Sequence, residues 1–333
     1  MLALEIYILL YKIGKLCYHI VILFLSAKCG RKELLLHAIR PIDEVIDLKS
    51  RILCCFVIIF ALAANLSAFA LTPGELVAES CILVNALTGE VLFEKDADSV
   101  RSMASTTKIM TLILSIEMSS PDEIVTVPQC VEDIGLNSTR VPVFYGEVMP
   151  LRDLWYGLIF KSGNDAANAI AYHSAGSVEA FVEKMNEKAK ELGMNNTHFA
   201  NAHGYTQTGH YTTARDMAKL AMYALENDLF REITFAKEYT MQPTSLRGEL
   251  NIYHNYPIND YNSEYYYQYS RGIKTGYTER AGQCFVGAAV KGDTELVVVI
   301  LKAGWLKPEK WLDARKLFVY GFETIENAAE KKQ

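Results

Sequence analysis

The chain has 333 residues, 50% of them hydrophobic and 22% charged, with a formal net charge of −6. Such a composition fits a globular protein of one or two domains with a large core and excludes a disordered chain. No basic block sits at a chain end and no zinc-finger or phosphate-loop pattern occurs, which argues against nucleic acid as a partner.

The first apolar stretch, Ile6 to Leu25, is long enough to span a bilayer but is interrupted by Lys12, Lys15 and His19. Lys28, Arg31, Lys32, Arg40, Lys49 and Arg51 follow, a basic excess that favours the cytoplasmic side. Leu48-Lys49-Ser50-Arg51 then precedes the apolar run Ile52 to Ala64, and Ser67-Ala68-Phe69-Ala70 supplies the small residues of a cleavage site. Together these read as an export signal cleaved after Ala70, with a buried core helix as the alternative. Residues 1–47 are accordingly an N-terminal extension or an over-called start, 48–70 a signal peptide or membrane anchor, 71–325 an extracytoplasmic working domain, and 326–333 a tail. Cys17, Cys29, Cys54 and Cys55 fall outside that domain. The remaining Cys81, Cys130 and Cys284 are widely spaced and odd in number, neither a disulfide framework nor a metal site.

Residues 81–95 alternate as a hairpin, with Ile82-Leu83-Val84 and Val91-Leu92-Phe93 joined through a turn at Thr88-Gly89. Next comes Met103-Ala104-Ser105-Thr106-Thr107-Lys108, followed by apolar positions at helical spacing from Ile109 to Met118. If Ser105 opens that helix, Ser105 and Lys108 share one face a single turn apart. A serine hydroxyl needs a neighbour to take its proton, and an unprotonated amine in range is such a neighbour. The helix start offers free N–H groups for an oxyanion, and its positive dipole end disfavours a charged lysine. The same spacing also occurs at ordinary helix starts with a surface lysine.

Residues 122–148 read as short strands and turns, and Leu151 to Phe160 as a helix ended by a polar loop, Lys161-Ser162-Gly163-Asn164-Asp165. That loop is a place for functional side chains or a plain connection with Asn164 or Asp165 as cap. Ala166 to Ala175, Val178 to Leu192 and Thr213 to Leu225 are further helices, the last resembling a capping box with Asp216. Strands return from Phe235. Cys284 to Val290 and Leu296 to Leu301 form a hairpin around Lys291-Gly292-Asp293-Thr294, and Pro308 starts a last helix to about Phe322. Before that hairpin, in Gly272-Ile273-Lys274-Thr275-Gly276-Tyr277, the glycines allow a strand edge to approach a ligand closely and Lys274 suits a carboxylate. Strands at both ends with helices between predict an α/β domain whose sheet is completed by the C-terminal strands, with an all-helical lobe beside it.

Taken in order, Ser105-x-x-Lys108, Ser162-x-Asn164 and Lys274-Thr275-Gly276 resemble the three signature motifs of the penicillin-recognising serine enzymes. The S-G-N form, Asn201-Ala202-His203-Gly204 and Gly209-His210-Tyr211-Thr212-Thr213 are similar to one branch, the low-molecular-weight D-alanyl-D-alanine carboxypeptidases. The likeness covers residues 72–322. It implies a β-lactamase/transpeptidase-like α/β fold: an antiparallel sheet flanked by helices, with an adjoining helical lobe.

The resemblance also implies the site. Ser105 would be the acylated nucleophile, Lys108 its base and Ser162 a proton relay to the leaving amine. Asn164 would bond the substrate peptide, Lys274, Thr275 and Gly276 would bind the substrate, with both side chains facing the terminal carboxylate, and the N–H groups of Ser105 and Tyr277 would form the oxyanion hole. The implied substrate is a peptidoglycan stem peptide, the implied inhibitors are β-lactams, and no cofactor or metal is called for. Many such relatives carry a further strand-rich domain and an amphipathic anchor that this sequence does not show, so membrane contact is expected only through the N-terminal segment. His254-Asn255-Tyr256-Pro257 stands where relatives place a basic residue for the carboxylate, leaving Arg247 or Arg271 as substitutes. An endopeptidase shares all three motifs. A β-lactamase would need a glutamate in E-x-x-L-N, but Leu250-Asn251 is preceded at that position by Arg247. A silent peptidoglycan-binding protein is the remaining reading, although every proton-handling residue is present.

Overall fold

The computed structural model describes residues 71–330 apart from Leu136 and Asn255. The export signal and the N-terminal extension therefore lie outside the described residues. No helix among the described residues is long and apolar enough to cross a membrane.

A five-stranded antiparallel sheet organises the domain. Strands β1 (Ala78–Asn85) and β2 (Val91–Lys95) are the expected N-terminal hairpin, and β7 (Ser270–Thr278), β8 (Gly282–Lys291) and β9 (Thr294–Ala303) complete the sheet in the order β2-β1-β9-β8-β7. Gly292, with φ of 57°, makes the β8–β9 turn as the sequence suggests. The sheet is covered on both faces, so its middle strands are apolar throughout, with period-2 alternation deciding which core each residue joins. On β9, Val297, Val299 and Leu301 face the helical lobe, while Leu296, Val298 and Ile300 face the C-terminal helix. That helix, α7 (Glu309–Glu330), packs Trp311, Leu317 and Phe318 on the sheet. It runs to Glu330 rather than to Phe322, because Glu323 to Glu330 contains no glycine or proline to stop it.

Between the two parts of the sheet lie α1 (Lys108–Met118), α2 (Leu151–Phe160), α3 (Asn164–Ala175), α4 (Val178–Glu191), α5 (Ala214–Leu225) and α6 (Asp228–Phe235), forming the expected lobe. Two ribbons accompany them, β3 (Ile124–Thr126) with β4 (Val148–Pro150) and β5 (Glu238–Met241) with β6 (Leu250–Tyr253). The apolar face of α1 is buried from Ile109 to Leu114, which puts its first turn beside the edge strand β7.

Two details differ from the sequence reading. Helix α3 begins at Asn164, two residues early, because extended Gly163 occupies the cap position and the Asp165 carboxylate turns back to accept from the N–H groups of Val141 and Ala166. Helix α6 has no counterpart in the sequence reading. It is only one residue past two turns, and Asn227, whose side chain accepts from Phe230 N–H at 3.0 Å, reads equally well as a turn residue. At α5, Thr213 caps as expected, while the Asp216 carboxylate accepts from Asn196 and Thr197 instead of closing a box.

Candidate active site

Ser105 lies on a 3₁₀ turn, Ala104–Thr107, that leads directly into α1, where Lys108 is the first residue. The turn is gripped by two glycines. A Cβ on Gly276 of β7 would stand 2.9 Å from Ser105 N, and a Cβ on Gly204 would stand 1.9 Å from the Ala104 carbonyl oxygen. Only residues without a Cβ allow two backbones to approach this closely. Ala104 itself is held at φ of 47°, a conformation that costs a non-glycine residue roughly 1–3 kcal/mol and persists only where the surroundings impose it.

Lys108 is fully buried. Its Nζ lies 3.1 Å from Ser105 Oγ, 2.8 Å from Asn164 Oδ1 and 2.5 Å from the His203 carbonyl oxygen. Burial is the main reason its pKa falls well below the ordinary lysine value; the Lys274 ammonium adds to the fall and Asp165 opposes it. A neutral amine has two N–H groups and one lone pair. Two of the three neighbours, the Asn164 and His203 oxygens, have no proton to offer, so they take both N–H groups and the lone pair is left for the Ser105 hydroxyl. A neutral Lys108 amine would therefore present its lone pair to the Ser105 hydroxyl.

Asn164 comes from the first turn of α3, and its Nδ2 donates to Ser138 Oγ at 3.2 Å. Gly163 permits this placement, since a Cβ there would stand 2.4 Å from Val141 Cγ2. Ser162, in the tight turn before it, is half-buried with φ of 56°. Among the described residues no hydrogen bond joins the Ser162 hydroxyl to Ser105 or Lys108, so of the three motifs this residue is the least engaged.

On β7, the strand beside the nucleophile turn, Lys274 is 1% exposed and its Nζ donates to its neighbour's carbonyl, Thr275 O, at 3.0 Å. Burial first and Lys310 second lower its pKa to about 7. Thr275 is half-buried, its N–H donating to the Tyr256 hydroxyl at 3.2 Å. Gly276 approaches the backbone of Ser105, and Tyr277 follows it, half exposed, on the same cleft. The cleft measures about 460 Å³ and is lined by Ser105, Asn164, Ser138, Tyr205, Tyr277 and Arg280 among others. Thr206 Oγ1 donates to Thr278 Oγ1 at 3.1 Å across it.

Neither substitute basic residue is free in this cleft. Arg247 is buried against Glu147 at 2.9 Å, with Asp153 4.0 Å away, and Arg271 donates to the carbonyls of Gln268 and Ser270 at the far end of β7. Of the basic residues, Arg280 lines the cleft. The sequence reading missed Arg280, Ser138 and the carbonyl of His203. The Asn201-Ala202-His203-Gly204 run was a visible signal, but a main-chain carbonyl leaves no mark in side-chain chemistry.

A hydroxyl paired with a buried amine at a helix start, facing an edge strand that carries a second buried amine, defines a serine peptidase of the penicillin-binding type. Comparison with solved structures agrees. The Streptomyces K15 DD-transpeptidase superposes with a TM-score of 0.69 at 32% identity, over 74% of this chain and 98% of that one. A D-alanyl-D-alanine carboxypeptidase from Mycobacterium tuberculosis H37Rv gives 0.67 at 30% identity, over 74% and 91%. Among curated relatives, the D-alanyl-D-alanine carboxypeptidase DacF of Bacillus subtilis is 33% identical over 78% of this chain and 67% of its own length. The carboxypeptidase DacA of Escherichia coli K12 is 33% identical over 82% and 68%. The D-alanyl-D-alanine carboxypeptidase family model matches residues 67–304, and the chain belongs to that family.

Proposed function

We propose that the protein removes the terminal D-alanine from peptidoglycan stem pentapeptides through an acyl-enzyme on Ser105, outside the cytoplasm, in the turnover of cell wall. Residues 71–325 carry this activity, with 48–70 as export signal or anchor and membrane contact confined to that N-terminal segment. The observation that carries the reading is the fully buried Lys108 amine whose two N–H groups meet carbonyl oxygens and whose third neighbour is Ser105 Oγ at 3.1 Å.

Ser105 Oγ attacks the carbonyl carbon between the two D-alanines while its proton passes to the Lys108 Nζ. The oxygen of the tetrahedral intermediate takes hydrogen bonds from the N–H groups of Ser105 and Tyr277. The close approach of Gly276, the residue before Tyr277, to the nucleophile turn supports this pairing. As the C–N bond breaks, the proton moves from Lys108 to the leaving amine, relayed by the Ser162 hydroxyl, and D-alanine departs. Water then attacks the ester carbon while its proton passes to Lys108, and Lys108 returns that proton to Ser105 Oγ as the ester C–O bond breaks, which frees the shortened peptide and restores the free enzyme. Asn164 bonds the substrate peptide group, and Lys274 with Thr275 receives the terminal carboxylate. A β-lactam presents a strained amide to the same hydroxyl and acylates it. The amine cannot diffuse away from the ring-opened product, and no glutamate of the E-x-x-L-N kind stands ready to drive deacylation, so the adduct lasts.

The test gives a D-Ala-D-Ala-terminated pentapeptide to the purified full chain and measures free D-alanine, with fluorescent penicillin labelling alongside. Release of D-alanine and a durable label, both lost in Ser105→Ala, is the expected result. Rapid loss of the label would mean a β-lactamase, and neither product nor label would mean a silent binder.

A further inference from the structure

Strand β7 forms an edge of the sheet, yet its outer side is not continuous. Its C-terminal end, from Tyr277, borders the cleft, and its N-terminal end, at Ser270 and Arg271, borders a second pocket of about 670 Å³. Tyr256 stands between the two. Its ring packs on the sheet face at Gly272, where a Cβ would come within 2.2 Å of Tyr256 Cδ2, and its hydroxyl reaches the strand edge and accepts the Thr275 N–H at 3.2 Å. The residue thereby covers Gly272 to Thr275, about 10 Å of strand. It is 6% exposed and wedged between His254, 4.0 Å away by ring centroids, and Trp311 at 5.7 Å.

Unpaired N–H and C=O groups on an edge strand are what an extended peptide adds to when it lies alongside. At Thr275 that donor is already taken by a side-chain hydroxyl, held in place by a ring that packs on the sheet face at Gly272. A peptide whose terminal carboxylate lies at Lys274 and Thr275 fits up to this point. One that continues for another residue along the strand meets Tyr256 where its hydroxyl caps the edge.

We propose that Tyr256 is a specificity-determining residue that ends the substrate channel at Thr275, so the departing fragment is limited to one terminal residue and internal peptide bonds are refused. This inference rests on the carboxypeptidase reading above and separates it from the endopeptidase, which shares the same three motifs. The second pocket then lies beyond the wall, out of reach of a bound stem peptide, and becomes continuous with the cleft when the wall is removed.

The full chain is offered, in parallel, a peptide ending in D-Ala-D-Ala and the same peptide extended as D-Ala-D-Ala-Gly, with products separated by chromatography. The wild type should cut the extended peptide at least about tenfold more slowly than the terminal one, and Tyr256→Ala should raise the ratio of extended to terminal cleavage by about tenfold. Tyr256→Phe, which keeps the ring, should move the ratio less. Fluorescent penicillin labelling of Ser105 reports that a variant is folded, and Tyr256→Leu replaces the alanine variant if that one is not labelled. A wild type that cuts both peptides at similar rates overturns the proposal, as does a labelled alanine or leucine variant with the wild-type ratio. Failure of the carboxypeptidase reading looks different: no D-alanine is released from the terminal peptide by the wild type.

Discussion

On the helical wall of the cleft the Lys108 amine touches three neighbours, Ser105 Oγ, Asn164 Oδ1 and the His203 carbonyl, whereas on the strand wall the Lys274 amine bonds the carbonyl of Thr275. Both side chains are buried and both amines are less basic than a lysine in water. A base must have its lone pair fixed in one direction, and saturating its N–H groups does that. A group that receives a carboxylate must keep N–H groups available, and bonding mainly to its own strand does that. Burial alone therefore does not distinguish a base from a binding cation; the count of acceptors around each amine does.

The contrast breaks most severely in Lys108→Arg. The guanidinium keeps a charge at any accessible pH and has no lone pair to offer, so acylation by penicillin should slow on the order of 10³-fold or more in stopped-flow labelling. Wild-type labelling in that variant would contradict the role of base. Lys274→Gln attacks the other wall and should lower kcat/KM for the pentapeptide by roughly 10²-fold, mainly through KM. Because Lys274 also helps to depress the Lys108 pKa, this variant should move the acid limb of the rate profile to higher pH. Asn164→Ala frees one N–H of Lys108 and leaves its lone pair less directed, with an expected loss of roughly tenfold or more that falls on kcat.

The strand wall also has a purely steric part. Gly276→Ala would place a Cβ 2.9 Å from both Ser105 N and Ala104 Cβ, so acylation should fall about tenfold and stability by about 1–3 kcal/mol in denaturant unfolding. A variant with wild-type rate and stability would show that the two backbones are not locked together.

The smallest expected effect is on stability against pH. With the folded-state pKa of Lys108 lowered, the unfolded chain binds a proton that the native state does not, so stability rises with pH up to the ordinary lysine pKa near 10.4. Lys108→Met removes that contribution, and its stability should climb less between pH 7 and 10 than the wild type's. Activity follows a different sign rule for each amine. The rate rises as pH passes upward through the lowered Lys108 pKa, and carboxylate binding weakens above about 7 as Lys274 loses its proton, giving a bell-shaped kcat/KM.

How much of this was readable before the coordinates depended on whether the cause was local. The hairpins and α2 follow from periodicity and turn residues, and Ser105 with Lys108 from one turn of helix. Their meeting with Asn164 and Lys274 is not a local property; it was legible only because three separated motifs together resemble one family. What stayed hidden is tertiary. Nothing near Gly204 or Gly276 reveals that both press on the turn before α1, nothing in Tyr256 announces that its hydroxyl would cap an edge strand, and Arg247 gives no sign that it is consumed by Glu147. The misplaced start of α3 has the same origin, since Asp165 turns back to the distant Val141.

The central claim is that one buried amine is neutral at working pH while facing the Ser105 hydroxyl, and that the second amine helps to keep it so. The most direct measurement follows the side-chain NMR signals of isotopically labelled lysines through a pH titration of the full chain, with Lys108→Met and Lys274→Gln used to assign the two buried residues. The account predicts that the Lys108 signal titrates well below the ordinary lysine range and moves upward in Lys274→Gln. A Lys108 that remains charged to pH 9 would contradict it.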